Sequence, residues 1–176
     1  MANREALREL QSRLAERMQA ARREQRGQSW LAVECRDHGF LLPLEQAGEI
    51  FAVPALLPVP HTKPWFAGVA NLRGGLHGVV DLARFLGLPP APAAEAPREQ
   101  ARLVALGGAL GLNCALLVDR LAGLRNAEQL QASEAPDTAA RPAFAGARWR
   151  DAQGRTWQAL DLAALARQDE FLSIVA

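Results

Sequence analysis

The amino-acid sequence predicts a mainly β protein, built as two small barrels with short helices after some of the strands. Three observations carry this prediction: short segments of strand-like alternation, frequent Gly and Pro turns between them, and an internal repeat. The repeated stretches are FAGVANLRGGLHGVVDLARFL, from Phe66, and FAGARWRDAQGRTWQALDLAAL, from Phe144. Each opens on Phe-Ala-Gly, turns at a glycine and closes on Asp-Leu-Ala, so we expect two similar barrels packed side by side.

The first element that the periodicity predicts is an amphipathic helix over residues 1–26. Glutamates lie toward its start and arginines crowd its end, as the helix dipole favours. Its apolar positions, three to four residues apart, are Leu7, Leu10, Leu14, Met18 and Ala21. Gly27 ends the pattern. Packing on its own domain, binding of a partner and dimerisation are all open interpretations of this helix.

Residues 27–176 are typical of a β-rich domain with two barrel subdomains and a linker at about residues 89–100. In the first half, strands are predicted at Trp30–Cys35, Phe40–Pro43, Glu49–Val53, Pro58–Pro60, Gly68–Leu72 and Leu76–Asp81, with a turn at Asp37-His38-Gly39 and a helix at Leu82–Leu86. In the second half, strands are predicted at Arg102–Leu106, Leu112–Val118, Phe144–Arg150 and Thr156–Leu160. The Pro/Ala-rich run at 89–97 and the stretch from Gln131 to Pro142 read as exposed loops, because neither can build a core.

The composition limits the possible classes of function. Twenty Lys and Arg residues against 19 Asp and Glu give a net charge of +1, which offers no argument for a nucleic-acid partner. The two cysteines have neither C-x-x-C spacing nor a disulfide framework, and no apolar run approaches the ~20 residues that span a bilayer. We therefore expect a cytoplasmic protein that is neither exported nor inserted into a membrane.

The glycine-rich stretch Arg73–Gly78 allows three interpretations: a phosphate cradle, a catalytic strand, or a surface for another protein. It lacks the lysine and hydroxyl of a Walker loop and the spacing of a dinucleotide fingerprint. His77 and Asp81 lie on one face of the predicted strand but about 13 Å apart, beyond hydrogen-bond reach. The three histidines and two cysteines also lack metal-ligand spacing. No catalytic, metal or cofactor site is therefore predicted.

Four charged residues stand out at the ends of predicted strands. Asp81 and Asp161, like Asp119, each end an apolar strand; a carboxylate cluster is one interpretation. For Asp81 and Asp161, capping of the following helix is more economical, because aspartate accepts hydrogen bonds from free backbone N–H groups. Arg73 directly follows an apolar strand, so its guanidinium is placed on a rim where it can hold a carboxylate. Glu49 is the expected partner; an ordinary solvated arginine is the alternative.

These motifs together resemble the CheW coupling proteins of bacterial chemosensory arrays, over about residues 28–170. The resemblance is carried by Asn71-Leu72-Arg73-Gly74 with Val80-Asp81-Leu82, by Pro58-Val59-Pro60 before Gly68-Val69, and by Ala115-Leu116-Leu117-Val118-Asp119 before Leu121. Phe40-Leu41-Leu42-Pro43-Leu44 with Gly48-Glu49-Ile50 is similar to the family's first hairpin and following short helix. The leading helix, Trp65 and the ending Phe171–Val175 are more similar to the coupling proteins of type IV pilus systems.

The resemblance implies two five-stranded SH3-like barrels, no catalytic activity and no cofactor. It implies a scaffold that joins the regulatory domain of a CheA-type histidine kinase to the cytoplasmic tip of a methyl-accepting chemoreceptor, at the inner face of the membrane. The implied output is twitching motility through type IV pili; a flagellar chemotaxis coupling protein or a small ligand-binding barrel are the alternatives.

The resemblance also implies two sets of partner-binding residues. Those for the kinase side and for loop ordering are Glu49, Gly68, Asn71, Arg73 and Gly74. Those for a groove between the barrels that takes the receptor's helical tip are Leu116, Leu117, Val118 and Asp119. His77-Gly78 departs from the family pattern, which has an aliphatic residue and a proline there, on what reads as an edge strand.

Overall fold

The computed structural model describes Arg13 and residues 27–90, 98–133 and 141–176, so the helix predicted at 1–26 lies, Arg13 apart, outside the described residues. The described strands form a six-stranded and a five-stranded sheet. They are β1 Ser29–Cys35, β2 His38–Pro43, β3 Ala47–Ala52, β4 Phe66–Leu72, β5 Gly75–Asp81, β6 Arg102–Leu106, β7 Cys114–Val118, β8 Arg120–Asn126, β9 Leu130–Ala132, β10 Ala145–Asp151 and β11 Thr156–Leu160. The strand orders are β8-β1-β2-β11-β10-β9 and β3-β6-β7-β5-β4.

Short helices follow the second strand of each repeat. They are α1 Leu82–Phe85, after β5, and α2 Leu162–Leu165, after β11; a third helix, α3 Asp169–Leu172, lies near the end of the chain. Single 3-10 turns occupy Arg98–Gln100, Gly108–Leu110 and Ala127–Gln129. The predicted fold class, mainly β with two small barrels and short helices after strands, is confirmed. Within the described ranges, no helix has the length and apolar character needed to cross a bilayer.

The two sheets divide the chain differently from the repeat. Strands β3 to β7 are contiguous in sequence, whereas β1 and β2 join the C-terminal strands β8 to β11. Strand β2 pairs in parallel with β11, and β1 pairs with β8. The repeat suggested that the linker at about 89–100 separates the two barrels. Instead, it connects α1, which follows β5, to β6, and both of these strands belong to the five-stranded sheet.

Three apolar cores follow from strands that are buried on both faces. Alternate residues of β1 and β7 point to opposite sides of their sheets. The core between the sheets includes Val33, Leu42, Val80, Leu116 and Leu162. The core of the six-stranded sheet includes Trp30, Leu41 and Trp157, and that of the five-stranded sheet Ala70, Val79 and Leu103. Because the largest core lies between the sheets, the two barrels are held as one unit.

Several predicted elements differ from the structure. The strand predicted at Pro58–Pro60 is wrong, because these residues pair with no strand and only the preceding Leu57 forms an isolated bridge, to Val69. Strand β8 was not predicted, since Gly123 and two arginines interrupt its alternation on the edge of a sheet. The three-residue β9 gives the larger sheet a sixth strand. Residues 44–46 form a turn, and Gly48-Glu49-Ile50 lie in β3 rather than in a short helix.

Candidate functional site

The turn between β4 and β5, residues 71–75, presents the residues of the Asn-Leu-Arg-Gly motif; we call it the Arg73 turn. Leu72 pairs with Gly75, so Arg73 and Gly74 are the two central residues of the hairpin. Their φ angles are +50° and +83°, as a primed two-residue turn requires. Asn71 Oδ1 accepts a hydrogen bond from the Gly74 N–H at 2.8 Å. A non-glycine residue in this conformation costs roughly 1–2 kcal/mol, so the flanking strands hold Arg73 against that cost.

Arg73 projects from this turn and contacts Glu49 of β3. Its Nη2 lies 2.6 Å from Glu49 Oε1, and the two side chains are 76% and 42% exposed. Strands β3 and β4 stand at opposite ends of the strand order, so the ion pair spans the two edges of the five-stranded sheet. An exposed pair adds only ~0.2–1 kcal/mol of stability. Its main consequence is to orient a charged, accessible guanidinium.

Gly68 sits where the chain closes the five-stranded sheet into a barrel. Leu57 and Val69 exchange two backbone hydrogen bonds of 2.9 Å, which attach the chain after β3 to strand β4. Gly68 has φ +127°, and a Cβ there would lie 2.3 Å from the Leu57 carbonyl oxygen. Only glycine satisfies both constraints. Gly68 therefore permits the close approach that orders the barrel beneath the Arg73 turn.

The His77-Gly78 departure lies in the interior of the sheet. The edge-strand expectation is wrong, because β5 is flanked by β4 and β7. Gly78 N–H donates to the Asn113 carbonyl oxygen at 3.0 Å, and a Cβ at Gly78 would lie 3.1 Å from Phe66 Cε2. A proline at this position would lose the donor and crowd the Phe66 ring. His77 Nδ1 donates to the Gly75 carbonyl oxygen at 3.0 Å, so His77 supports the same turn.

The residues expected to line the receptor groove are only partly at the surface. Leu116 and Val118 are 0% exposed and belong to the core between the sheets. Their assignment to the groove surface is corrected, because a fully buried side chain contacts no partner. Leu117 is half-buried, and Asp119 Oδ2 accepts a hydrogen bond from the Arg36 N–H at 2.5 Å. Asp119 thereby joins the first hairpin to the point where the chain crosses between the sheets.

The strand-end aspartates Asp81 and Asp161 cap helices. Asp81 Oδ1 accepts from the Arg84 N–H, and Asp161 Oδ1 from the Ala164 N–H, both at 3.0 Å. These contacts satisfy N–H groups that the first helical turn leaves free. Across the part of the chain that the structure describes, no three His, Cys, Asp or Glu side chains gather as metal ligands would. Each of these aspartates is thus engaged in local structure.

The two cysteines are buried thiols of low reactivity. Burial raises the pKa of Cys114 to about 12, and burial together with the nearby Asp119 carboxylate raises the pKa of Cys35 further. The thiolate is the nucleophilic form of cysteine, so both side chains stay protonated near neutral pH. They act as small core residues beside Val33 and Leu116.

A second charged turn, which the sequence interpretation did not single out, connects β10 to β11. We call residues 151–155 the Arg155 turn. Arg155 Nη1 donates at 2.5 Å to Oε1 of Glu34, and Arg120 donates through Nε at 2.8 Å to Oε2. Glu34 is 6% exposed, so its carboxylate needs these two arginines. A glutamate inside the apolar strand segment SWLAVEC is the signal that could have revealed this site.

A cavity of about 700 Å³ lies between the two barrels. Its lining comes from the β1–β2 hairpin, the chain after β5, and strands β10 and β11. Apolar walls are supplied by Phe40, Phe85, Leu88, Phe144 and Leu160, and polar groups include Arg148 and Gln158. The strands that line it belong to the six-stranded sheet, whereas Phe85 and Leu88 come from α1 and the chain after it, so the cavity lies where the end of the first barrel meets the six-stranded sheet.

Comparison with known proteins agrees with this architecture. Residues 29–170 match the family model described as a CheW-like domain. The chain is 32% identical over 155 residues to Protein PilI of Pseudomonas aeruginosa, an alignment covering 84% of this chain and 81% of that protein. The crystal structure of the scaffolding protein TtCheW from Thermoanaerobacter tengcongensis is 17% identical, with a TM-score of 0.62, and the match covers 76% of this chain and 88% of that one.

The solved structure shows that the fold, a pair of SH3-like barrels, is that of CheW. The family model spans the domain from the first strand to α3 and includes both the Arg73 turn and the cavity. The chain therefore belongs to the CheW-like domain family.

Proposed function

We propose that this protein is a non-catalytic coupling protein that joins a chemoreceptor to a CheA-type histidine kinase in a chemosensory array. The observation that carries the proposal is the Arg73 turn, where a frame of backbone and side-chain contacts holds an exposed arginine at positive φ. Strain retained at an accessible position is typical of functional sites. Membership of the CheW-like domain family supplies the class of partner.

The kinase-binding side is assigned to Glu49, Gly68, Asn71, Arg73 and Gly74. Gly68 and the Asn71–Gly74 hydrogen bond order the turn, and Arg73 with Glu49 presents complementary charges at the surface. Charged groups at the rim of an interface steer association and fix its register. Direct contact is therefore expected for Arg73 and Glu49, and a supporting role for the other three.

The receptor-binding side is assigned to the groove between the barrels, where the cavity supports the proposal. A helical receptor tip with an apolar face would contact the Phe85 and Phe144 side of the cavity. Leu117 and Asp119 lie on the neighbouring chain crossing, while Leu116 and Val118 hold that crossing from within the core. Bound in this way, the protein would stand at the inner face of the membrane without entering it.

The similarity to Protein PilI supports an output through type IV pili and twitching motility. The flagellar alternative places the same surfaces in a different array. Deletion of the gene in its own organism separates the two, because loss of twitching with normal swimming supports the pilus assignment and the reverse contradicts it.

Binding measurements with purified partners test the coupling role directly. Arg73→Glu is expected to weaken binding of the kinase regulatory domain by about ten-fold or more. The matched control is Arg150→Glu, which reverses an exposed arginine on β10. Leu88→Glu, at the cavity wall, is expected to weaken binding of the receptor tip but to leave binding of the kinase domain unchanged. Wild-type protein that fails to bind a folded kinase domain would overturn the proposal.

A further inference from the structure

The last residues of the chain pair with the connector between β3 and β4. We call residues 173–176 the C-terminal strap and residues 53–65 the connector. The Lys63 N–H donates to the Ile174 carbonyl oxygen at 2.8 Å, and the Ala176 N–H to the His61 carbonyl oxygen at 3.0 Å. An antiparallel bridge between Thr62 and Val175 lies between these bonds. The strap follows the last strand of the six-stranded sheet in the chain. It therefore links that sheet to a loop of the five-stranded sheet.

The strap is anchored mainly at its start. Phe171, in the helix just before it, is 3% exposed; its ring stacks at 6.3 Å on Trp65, the last residue of the connector. Beyond this anchor, the side chains of Leu172 and Val175 are 49% and 71% exposed. Backbone hydrogen bonds, together with the partly buried side chain of Ile174 that packs against the core between the sheets, thus hold the final residues. Segments held in this way open more readily than the core does.

The connector that the strap grips is continuous with the frame of the Arg73 turn. The Phe66 N–H donates to the Lys63 carbonyl oxygen at 2.9 Å, so the residue bonded by the strap also bonds the first residue of strand β4. Earlier in the connector, the backbone of Leu57 is hydrogen-bonded to Val69, and its carbonyl oxygen lies directly against Gly68. The strand that receives both contacts runs straight into Asn71 and the turn. The position of the turn therefore depends on how the connector is held.

We propose that the C-terminal strap is a conformational clamp on the connector, and that it sets the geometry of the partner surface around Arg73. The effect on partner binding rests on the kinase-binding role proposed above. The clamp itself does not, because it is a property of the free protein. Opening of the strap would leave the connector held by the Leu57–Val69 bonds and by the contacts of Pro64 and Trp65, would free residues 61–63, and would loosen the edge on which the Arg73 turn is built.

Hydrogen exchange of the wild type, a deletion variant and two point variants tests the clamp. Deletion of Ile174–Ala176 removes both hydrogen bonds and the core contact of Ile174, whereas Ala176→Pro removes only the donor to His61 at constant chain length. Ala176→Ser retains the N–H and is the matched control. In the deletion variant, the amide of Lys63 is expected to exchange about ten-fold faster or more, with a smaller acceleration at Leu57 and Val69. Ala176→Ser should match the wild type.

Kinase binding by the same variants tests the consequence for the partner surface. The deletion is expected to weaken binding of the regulatory domain by about three-fold or more, with Ala176→Pro intermediate and Ala176→Ser unchanged. Unchanged exchange in the deletion variant overturns the clamp. Faster exchange with unchanged affinity overturns its link to the partner surface. Wild-type protein that does not bind the kinase domain overturns the coupling role instead, and the exchange measurement still decides the clamp.

Discussion

The two hairpins of the repeat end in turns that use their arginine in opposite ways. In the Arg73 turn the arginine side chain is 76% exposed and meets a partly exposed glutamate. In the Arg155 turn the arginine reaches inward to Glu34, which is 6% exposed. The same hairpin unit thus presents an exposed arginine in one barrel and an arginine that binds a buried glutamate in the other. Similarity between the repeats predicts that they share a fold, but it does not predict that their arginines share a role.

The difference follows from the residue that each turn has to pack against. Counting back from the shared aspartates, Trp157 stands where the first repeat has His77. The guanidinium of Arg155 lies 4.7 Å from the Trp157 ring centre, and the Trp157 Nε1–H donates to Asp151 at 2.9 Å. Cation–π contact and burial draw the second arginine inward. With a smaller ring and paired glycines at the first turn, nothing comparable retracts Arg73.

The largest expected contrast is between the matched glycines that open the two hairpins. Gly68→Ala is expected to lower the free energy of unfolding by about 3 kcal/mol, because the new Cβ would meet the Leu57 carbonyl oxygen at positive φ. Gly146 has no positive φ, and its Cβ would lie 3.3 Å from the Ala159 carbonyl oxygen. Gly146→Ala should therefore cost less than about 1 kcal/mol. Urea denaturation measures both, and equal losses would contradict the closure assigned to Gly68.

The next contrast is between the two arginines. Arg155→Ala is expected to cost about 2 kcal/mol, because it leaves the buried Glu34 carboxylate with one arginine and strips a cation from the Trp157 face. Arg73→Ala should stay within about 0.5 kcal/mol, as usual for an exposed pair. A double-mutant cycle with Glu34→Gln isolates the buried pair. Additive effects of Arg155→Ala and Glu34→Gln would show that the two residues are not coupled.

The smallest contrast is between the side chains that hold the two turns. Asp151 accepts from the Trp157 indole and from the amides of Gln153 and Arg155, whereas Asn71 accepts from one amide. At pH 7 we expect about 1–2 kcal/mol for Asp151→Ala and about 0.5–1 kcal/mol for Asn71→Ala. Thermal or urea unfolding of both variants measures the two costs.

The cost of Asp151→Ala should also depend on pH. Partial burial acts to raise the pKa of Asp151, but the hydrogen bonds from Trp157, Arg155 and Gln153 outweigh it and hold this pKa below its usual value. A lowered pKa stabilises the fold above the ordinary value of about 3.9, and this contribution is lost as pH falls through the folded value. The difference between wild type and Asp151→Ala should therefore shrink in acid. A difference that grows below pH 4 would have the wrong sign.

Local patterns in the sequence predict most strands, both capping aspartates and the approach of Arg73 to Glu49, because alternation, capping and turn chemistry act over a few residues. The distribution of the strands between the two sheets could not be predicted in this way. The parallel pairing of β2 with β11 joins segments more than a hundred residues apart, and no local pattern records it. Burial of Leu116 and Val118 escaped prediction for the same reason, since the face they occupy is covered by the other sheet.

The interleaved sheet has a consequence for the order of assembly during synthesis. All strands of the five-stranded sheet are present once residue 118 has been made, so this barrel, with the Arg73 turn, has its full set of strands early. Of the described strands, those of the β1–β2 hairpin are made first, yet their neighbours β8 and β11 come only after that barrel is complete. Until then its apolar faces have no sheet to join, which is the exposure that favours misassembly in nascent chains. The earliest of the described strands are thus among the last to complete their sheet.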